Sequence, residues 1–218
     1  MRALLKANKA FFIPYALFLA VATLFILVNT KAETHLEFNS FHNSLADVIF
    51  YYATYLGHGY MPVIAGIILL FFRYRWTIVL ALSGIISATI TQLLKHTLFA
   101  DVVRPKKFFE GLHELYFVPD VENHLYNSFP SGHTTCAFAL YLSIALCVKN
   151  RGLKLLCFLL AIAAGYSRIY LSQHFLEDVY AGSLIGTITT LMVFLFMQKR
   201  QAPWLERSLL GKNEIPEL

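Results

Sequence analysis

Apolar residues in this chain come in long blocks rather than short alternations. Six blocks approach the roughly 20 residues that a helix needs to cross hydrocarbon. They run approximately over 10–30, 54–72, 76–97, 131–149, 153–171 and 178–197. The first, Ala10 to Thr30, contains no charged residue. A basic start precedes it, but no small-x-small cleavage site follows, so a retained span is expected rather than a signal peptide. Between the first two blocks the pattern changes. Phe38, Phe41, Leu45, Val48 and Tyr52 recur at three- or four-residue steps with polar residues between. That period predicts an amphipathic helix at the interface over 31–53, or a helical entry into the second span.

The expected fold class is therefore all-α. The chain reads as a polytopic membrane protein with six transmembrane helices and an interfacial helix or loop on the outer side. One membrane domain covers 1–218, with 198–218 as a polar cytoplasmic tail containing Pro203 and Pro216. Composition agrees: 57% of residues are hydrophobic and only 14% charged, against about 25% charged in soluble domains. Cys136, Cys147 and Cys157 lie within apolar blocks, with no C-x-x-C pair, and read as packing residues.

The net charge of +5 is a matter of topology, not of nucleic acid. With the N-terminus inside, the inner segments hold Arg2, Lys6, Lys9, Arg73, Arg75, Lys149, Arg151, Lys154, Lys199, Arg200, Arg207 and Lys212. Those are 12 of the 18 basic residues. The loop-charge rule then places both termini in the cytoplasm. Lys31, Lys95, Arg104, Lys106, Lys107 and Arg168 remain outside. Only 13 residues separate Lys154 from Arg168. At 1.5 Å per residue they span about 20 Å, less than the hydrocarbon thickness of about 30 Å. Arg168 is expected at or below the outer membrane surface, where an arginine marks function or snorkels to headgroups.

This map gathers the unusual polar residues on one side. Pro130-Ser131-Gly132-His133 opens the fourth block, where free helix N–H groups attract an anion. Ser131 suits the N-cap, and Gly132 permits close approach of a ligand. An ordinary capped helix is the plain alternative. His174 and Asp178 are four apart and share a helix face. The carboxylate can fix one imidazole tautomer and leave the other nitrogen free to attack. Arg168 and His174 can share a pocket only if the chain turns between them. Lys95, Arg104 and Arg168 add cations that repel one another unless an anion is present, and a phosphoryl group fits arginine bidentately. This mostly cationic set would repel a divalent metal, so none is expected. His35, His42, His58, His96, His113 and His124 read as scattered interfacial histidines, although His96 and His124 are close enough in sequence to touch a headgroup. Glu110, Glu114, Asp120 and Glu122 read as solvated surface of the outer loop 98–129. That loop is the best candidate for setting substrate choice.

These clusters resemble the signature of the type 2 phosphatidic acid phosphatase (PAP2) superfamily, over about residues 50–197. Its motifs are K-x6-R-P, P-S-G-H and S-R-x5-H-x3-D. The second matches in full at Pro130, Ser131, Gly132 and His133, and the third at Ser167, Arg168, His174 and Asp178. The first departs: eight residues separate Lys95 from Arg104, and position 97 is Thr97. Lys106 or Lys107 are alternative contributors. The resemblance implies that His174 attacks phosphorus, Asp178 orients it, and His133 protonates the leaving oxygen. Lys95, Arg104, Ser131, Gly132 and Arg168 would hold the phosphate, without cofactor or metal. It implies a bacterial inner-membrane lipid phosphatase whose site faces the periplasm or cell exterior. Undecaprenyl diphosphate, phosphatidylglycerol phosphate, phosphatidic acid and lipid A phosphates are substrates of this class. Phosphotransfer to another lipid is the alternative. A transporter or anion-binding protein explains the paired His174 and Asp178 less well, and the haloperoxidases of the superfamily are soluble.

Overall fold

A computed structural model describes residues 2–211. Lys212 and Pro216 of the expected tail lie outside them. The described residues form helices only: α1 (Arg2–Ala7), α2 (Lys9–Val28), α3 (Lys31–Asn39), α4 (Ser44–Ala53), α5 (Tyr60–Leu70), α6 (Tyr74–Thr97), α7 (Pro105–Phe108), α8 (Gly132–Cys147), α9 (Arg151–Tyr170) and α10 (Leu176–Gln198), with short 3₁₀ turns at Thr54–Gly57 and Pro203–Glu206.

Four helices, α2, α6, α9 and α10, are long and apolar enough to cross a membrane. The second expected span is different. It is a bent pair, Ser44–Gly57 and Tyr60–Leu70, with an angle of 59° between the parts. Segment 31–53 is accordingly two helices, not one. Thr30 caps α3 through a reciprocal capping box with Glu33, and Asn43 Oδ1 caps α4 by accepting from Ala46 N at 2.9 Å. Most of the expected apolar stripe (Phe41, Leu45, Val48, Tyr52) is exposed, while Thr34 and His35 on α3 are buried. The expected steps of three and four residues therefore fall on two helices separated by residues 40–43 rather than on one continuous face. The fourth block becomes α8, 16 residues long and about 24 Å at helical rise, which is short for a crossing.

α8 is the central helix, packed by α5, α6, α9 and α10. Ala137, Phe138, Ala139, Leu140, Leu142 and Ala145 are almost wholly enclosed, as expected of a helix apolar all round. Two glycines on α10 set how closely it approaches. A Cβ at Gly182 would lie 2.6 Å from the Ser131 carbonyl oxygen, and one at Gly186 2.5 Å from that of Thr135. Small residues four apart let two backbones meet in this way. Gly186→Val is expected to force α8 and α10 apart, at a cost of about 1–3 kcal/mol or more. A lowered melting midpoint in detergent is the readout; an unchanged midpoint would contradict the close packing.

Candidate functional site

Local chain geometry brings Arg168 and His174 together. α9 ends in a Schellman arrangement. Ser172 adopts φ 52°; its N–H donates to the Ile169 carbonyl, and that of Gln173 to the Arg168 carbonyl, both at 2.9 Å. His174 N–H reaches the same Arg168 carbonyl at 3.0 Å. The left-handed position usually falls to glycine. Here the serine is held by its side chain, whose Oγ meets His35 Nε2 at 3.2 Å and accepts from Asn39 Nδ2 at 3.1 Å. α10 starts immediately afterwards. Asp178, in its first turn, accepts from Phe175 N at 2.9 Å and so caps the helix.

The Asp178 Oδ2 that caps α10 also meets His174 Nδ1 at 3.2 Å and accepts from Ser128 Oγ at 2.5 Å. Both His174 and Asp178 are nearly fully enclosed. Burial, with Arg104 and Arg168 nearby, drives the imidazole pKa down to about 3 against the pull of Asp178. The ring is thus neutral at ordinary pH, with Nδ1–H directed to the carboxylate and Nε2 unprotonated.

Three cations surround this pair, and they are only 7–8% exposed, so Arg168 does not snorkel. Lys95, at the end of α6, donates from Nζ to the Asn127 carbonyl at 2.7 Å. Arg104 Nη2 reaches the same carbonyl at 3.5 Å, and its Nε the Tyr126 carbonyl at 3.0 Å. Arg168 Nη1 donates to Thr54 Oγ1, and its buried Nε has no acceptor among the described residues. Lys95 lies within electrostatic reach of Arg104, Arg168 and Asp178, and Arg104 within reach of Asp178 and Arg168. Three positive charges against one carboxylate leave a buried surplus of two, which an anion can balance. Lys106 and Lys107, the alternatives to Lys95, point elsewhere: Lys106 toward the Phe117 ring and Lys107 to Glu110.

Ser131 is the N-cap of α8. Its Oγ accepts from Thr134 N at 3.4 Å and Thr134 Oγ1 at 2.8 Å, and its own N–H donates to the Asp178 carbonyl at 2.9 Å. Gly132 and His133 follow in the first turn, where N–H groups lack intrahelical partners. His133 lies within electrostatic reach of Arg168, His174, His58 and Arg104. The structure brings Lys95, Arg104, Arg168, His174 and Asp178 into one cluster, with the N-terminal end of α8 beside it through Ser131 N–H on the Asp178 carbonyl. It also adds residues the sequence reading passed over, Ser128 on Asp178, Gln173 between two arginines and Thr54 on Arg168, and it brings His58, read as a scattered interfacial histidine, to a ring-centroid distance of 5.7 Å from His133.

His35 is a clear departure from the interfacial expectation. It is buried, with its ring against Phe109 and Phe175. Burial holds its pKa down to about 4, against about 6.5 in an unfolded chain. Between those values the unfolded chain takes up a proton that the folded one refuses. The stability contribution is thus complete above pH 6.5 and lost as pH falls toward 4; His174 acts in the same sense. The melting midpoint in detergent is expected to drop from pH 7 to pH 4.5, and His35→Gln to flatten part of that slope.

Beside His133 opens an apolar groove of about 670 Å³ between α5, α6 and α8. It follows α6 from Thr77 to Gln92, about 22 Å at helical rise. Gly66, Ile67, Leu80, Ala81, Gly84 and Ala88 wall it, and Gly57, Gly132 and His133 lie at its polar end.

Residues 76–202 match the family model of the PAP2 superfamily. The chain is similar to the lipid A 4'-phosphatase of Bacteroides thetaiotaomicron, 25% identical over 167 residues that cover 73% of each chain. A 74-residue stretch is 42% identical to the bacitracin transport permease protein BcrC of Bacillus licheniformis, covering 34% of this chain and 36% of that relative's length. The crystal structure of Aquifex aeolicus LpxE superimposes with a TM-score of 0.67 at 29% identity, over 75% of this chain and 94% of that one.

Proposed function

The chain belongs to the PAP2 superfamily, and we propose that it is an integral membrane phosphatase that removes phosphate from a lipid phosphate or diphosphate through a phosphohistidine. One observation carries this reading: His133 stands both in the cation cluster and at the polar end of the apolar groove. A phosphoryl group among the cations would leave the attached chain along the groove.

His174 Nε2 attacks phosphorus in line, while Asp178 holds the other ring nitrogen and stabilises the positive charge that develops. Lys95, Arg104 and Arg168 balance the phosphoryl oxygens. The first-turn N–H groups of Gly132 and His133 and the Ser131 hydroxyl supply further donors. His133 gives a proton to the departing lipid oxygen as the P–O bond breaks. Water activated by the same histidine then releases inorganic phosphate and frees His174. The chemistry is mainly positioning and charge balance, as phosphoryl transfer requires.

In this reading, six membrane passages are made by α2, the bent pair with α5, α6, the short α8, α9 and α10. The loop charges favour residues 2–9, 73–75 and 149–154 on the cytoplasmic side, in a bacterial inner membrane with the site on the opposite face. The lipid A 4'-phosphatase relative supports a lipid phosphate as substrate.

The test is inorganic phosphate release from lipid phosphates by the purified protein in detergent, with and without an acceptor lipid. Release without acceptor supports hydrolysis; release only as a phosphorylated acceptor supports transfer. The groove supplies a second check. A Cβ at Gly84 meets nothing within 4 Å, so Gly84→Leu extends into the groove from an unobstructed Cβ. KM for a long-chain lipid phosphate is expected to rise about tenfold, on the scale of the apolar area displaced. KM for a short water-soluble phosphate ester should stay unchanged. Equal effects on both would disconnect the groove from substrate.

A further inference from the structure

Gln173 precedes the proposed nucleophile and has no part in the chemistry above, yet it joins two of the cations. Its side chain is buried. Oε1 accepts from Arg104 Nη1 and from Arg168 Nη2, each at 3.3 Å. Its backbone carbonyl also accepts from Arg104 Nη1, at 3.2 Å. On the other side of the carboxamide, Nε2 donates to the Glu122 carbonyl at 2.8 Å and to Asn123 Oδ1. The two guanidiniums come from separate parts of the chain, a loop and the end of α9, and like charges buried together repel.

A neutral carboxamide suits this position in a way that other groups of its size do not. It satisfies one N–H on each fork and leaves both charges uncompensated, so they remain available to an anion. A carboxylate there would pair with both arginines and compete with a phosphoryl group. An apolar side chain would leave two buried donors unsatisfied and release the forks from a common acceptor.

We propose that Gln173 is a positioning residue: its carboxamide oxygen fixes the separation of the Arg104 and Arg168 guanidiniums at the spacing that grips one phosphoryl group. Its nitrogen ties that spacing to the 122–123 segment of the outer loop. The inference rests on the phosphatase reading and deepens it.

The experiment measures orthovanadate binding by calorimetry to the full-length protein in detergent, alongside KM and kcat for a lipid phosphate. Gln173→Met keeps bulk and removes the acceptor. Its vanadate affinity is expected to fall about tenfold, with KM rising in parallel and kcat changing less, on the scale of hydrogen bonds to charged groups. Gln173→Glu keeps length and acceptor but adds charge, and its affinity is expected to fall further, by about a hundredfold. Asn123→Ala removes only the loop partner and should stay within about twofold, because the carboxamide oxygen is untouched. Vanadate affinity in Gln173→Met matching that of wild type would overturn the proposal. So would a Gln173→Glu variant that binds as wild type does; this second comparison stands even if the methionine variant fails to fold. Asn123→Ala reproducing the methionine variant would reduce Gln173 to a loop anchor and overturn it equally. A wild-type protein that neither binds vanadate nor releases phosphate would instead remove the phosphatase reading beneath it.

Discussion

His174→Ala is expected to lower phosphate release by roughly 10⁴-fold or more, the scale on which removal of a nucleophile acts. The variant loses the imidazole that, among the cations of the site, combines an unprotonated Nε2 with a carboxylate on Nδ1. Remaining rate would come from the cation cluster holding substrate near water. His133 cannot substitute, because among the described residues its ring has no Asp or Glu partner. The cluster itself survives the change, so vanadate should still bind. Retained affinity with lost turnover separates a missing nucleophile from a collapsed site. A variant turning over within tenfold of wild type would remove the phosphohistidine.

Asp178→Asn is expected to cost about 10³- to 10⁴-fold, as loss of an orienting carboxylate does when it leaves the histidine in the wrong tautomer. Three donors converge on Asp178 Oδ2: His174 Nδ1, Ser128 Oγ and Phe175 N. An amide set with its oxygen in that place turns its NH₂ to where Oδ1 has no hydrogen-bond partner among the described residues, and the reverse orientation points NH₂ at all three donors and forces the other imidazole tautomer. Either orientation leaves one group unsatisfied in a fully buried place. The substitution also removes the one negative charge beside three cations, so some loss of stability should accompany the loss of rate. Ser128→Ala tests the same network more gently. It retains the carboxylate and the tautomer, so a loss of about tenfold is expected, in line with one hydrogen bond to a charged group. Ser128→Ala losing as much as Asp178→Asn would shift the orienting role from the carboxylate to the serine.

Much of this was legible in the chain itself. Hydrophobic block length marked α2, α6, α9 and α10, because a span must satisfy its own backbone along a continuous apolar run. Contacts within one helical turn were legible as well. His174 with Asp178, and Ser131 as the cap of α8, depend on spacing of three or four residues, which sequence displays directly. The turn between Arg168 and His174 was required by geometry before it was seen, although nothing marked Ser172 as its left-handed residue. The motif resemblance joined these separate pieces into one expected site.

Tertiary structure alone decided the rest. Lys95 stood two residues out of register with its motif; only the fold shows its ammonium sharing the Asn127 carbonyl with Arg104 while Lys106 and Lys107 turn away. Ser128 lies 50 residues from Asp178, and Gln173 lies 69 from Arg104. No periodicity encodes such pairings, because they arise from how helices cross rather than from how one helix turns. Burial of His35 and the break between α4 and α5 have the same origin. Local sequence sets the reach of a side chain within its own helix, but the neighbours it meets depend on where other helices have been packed.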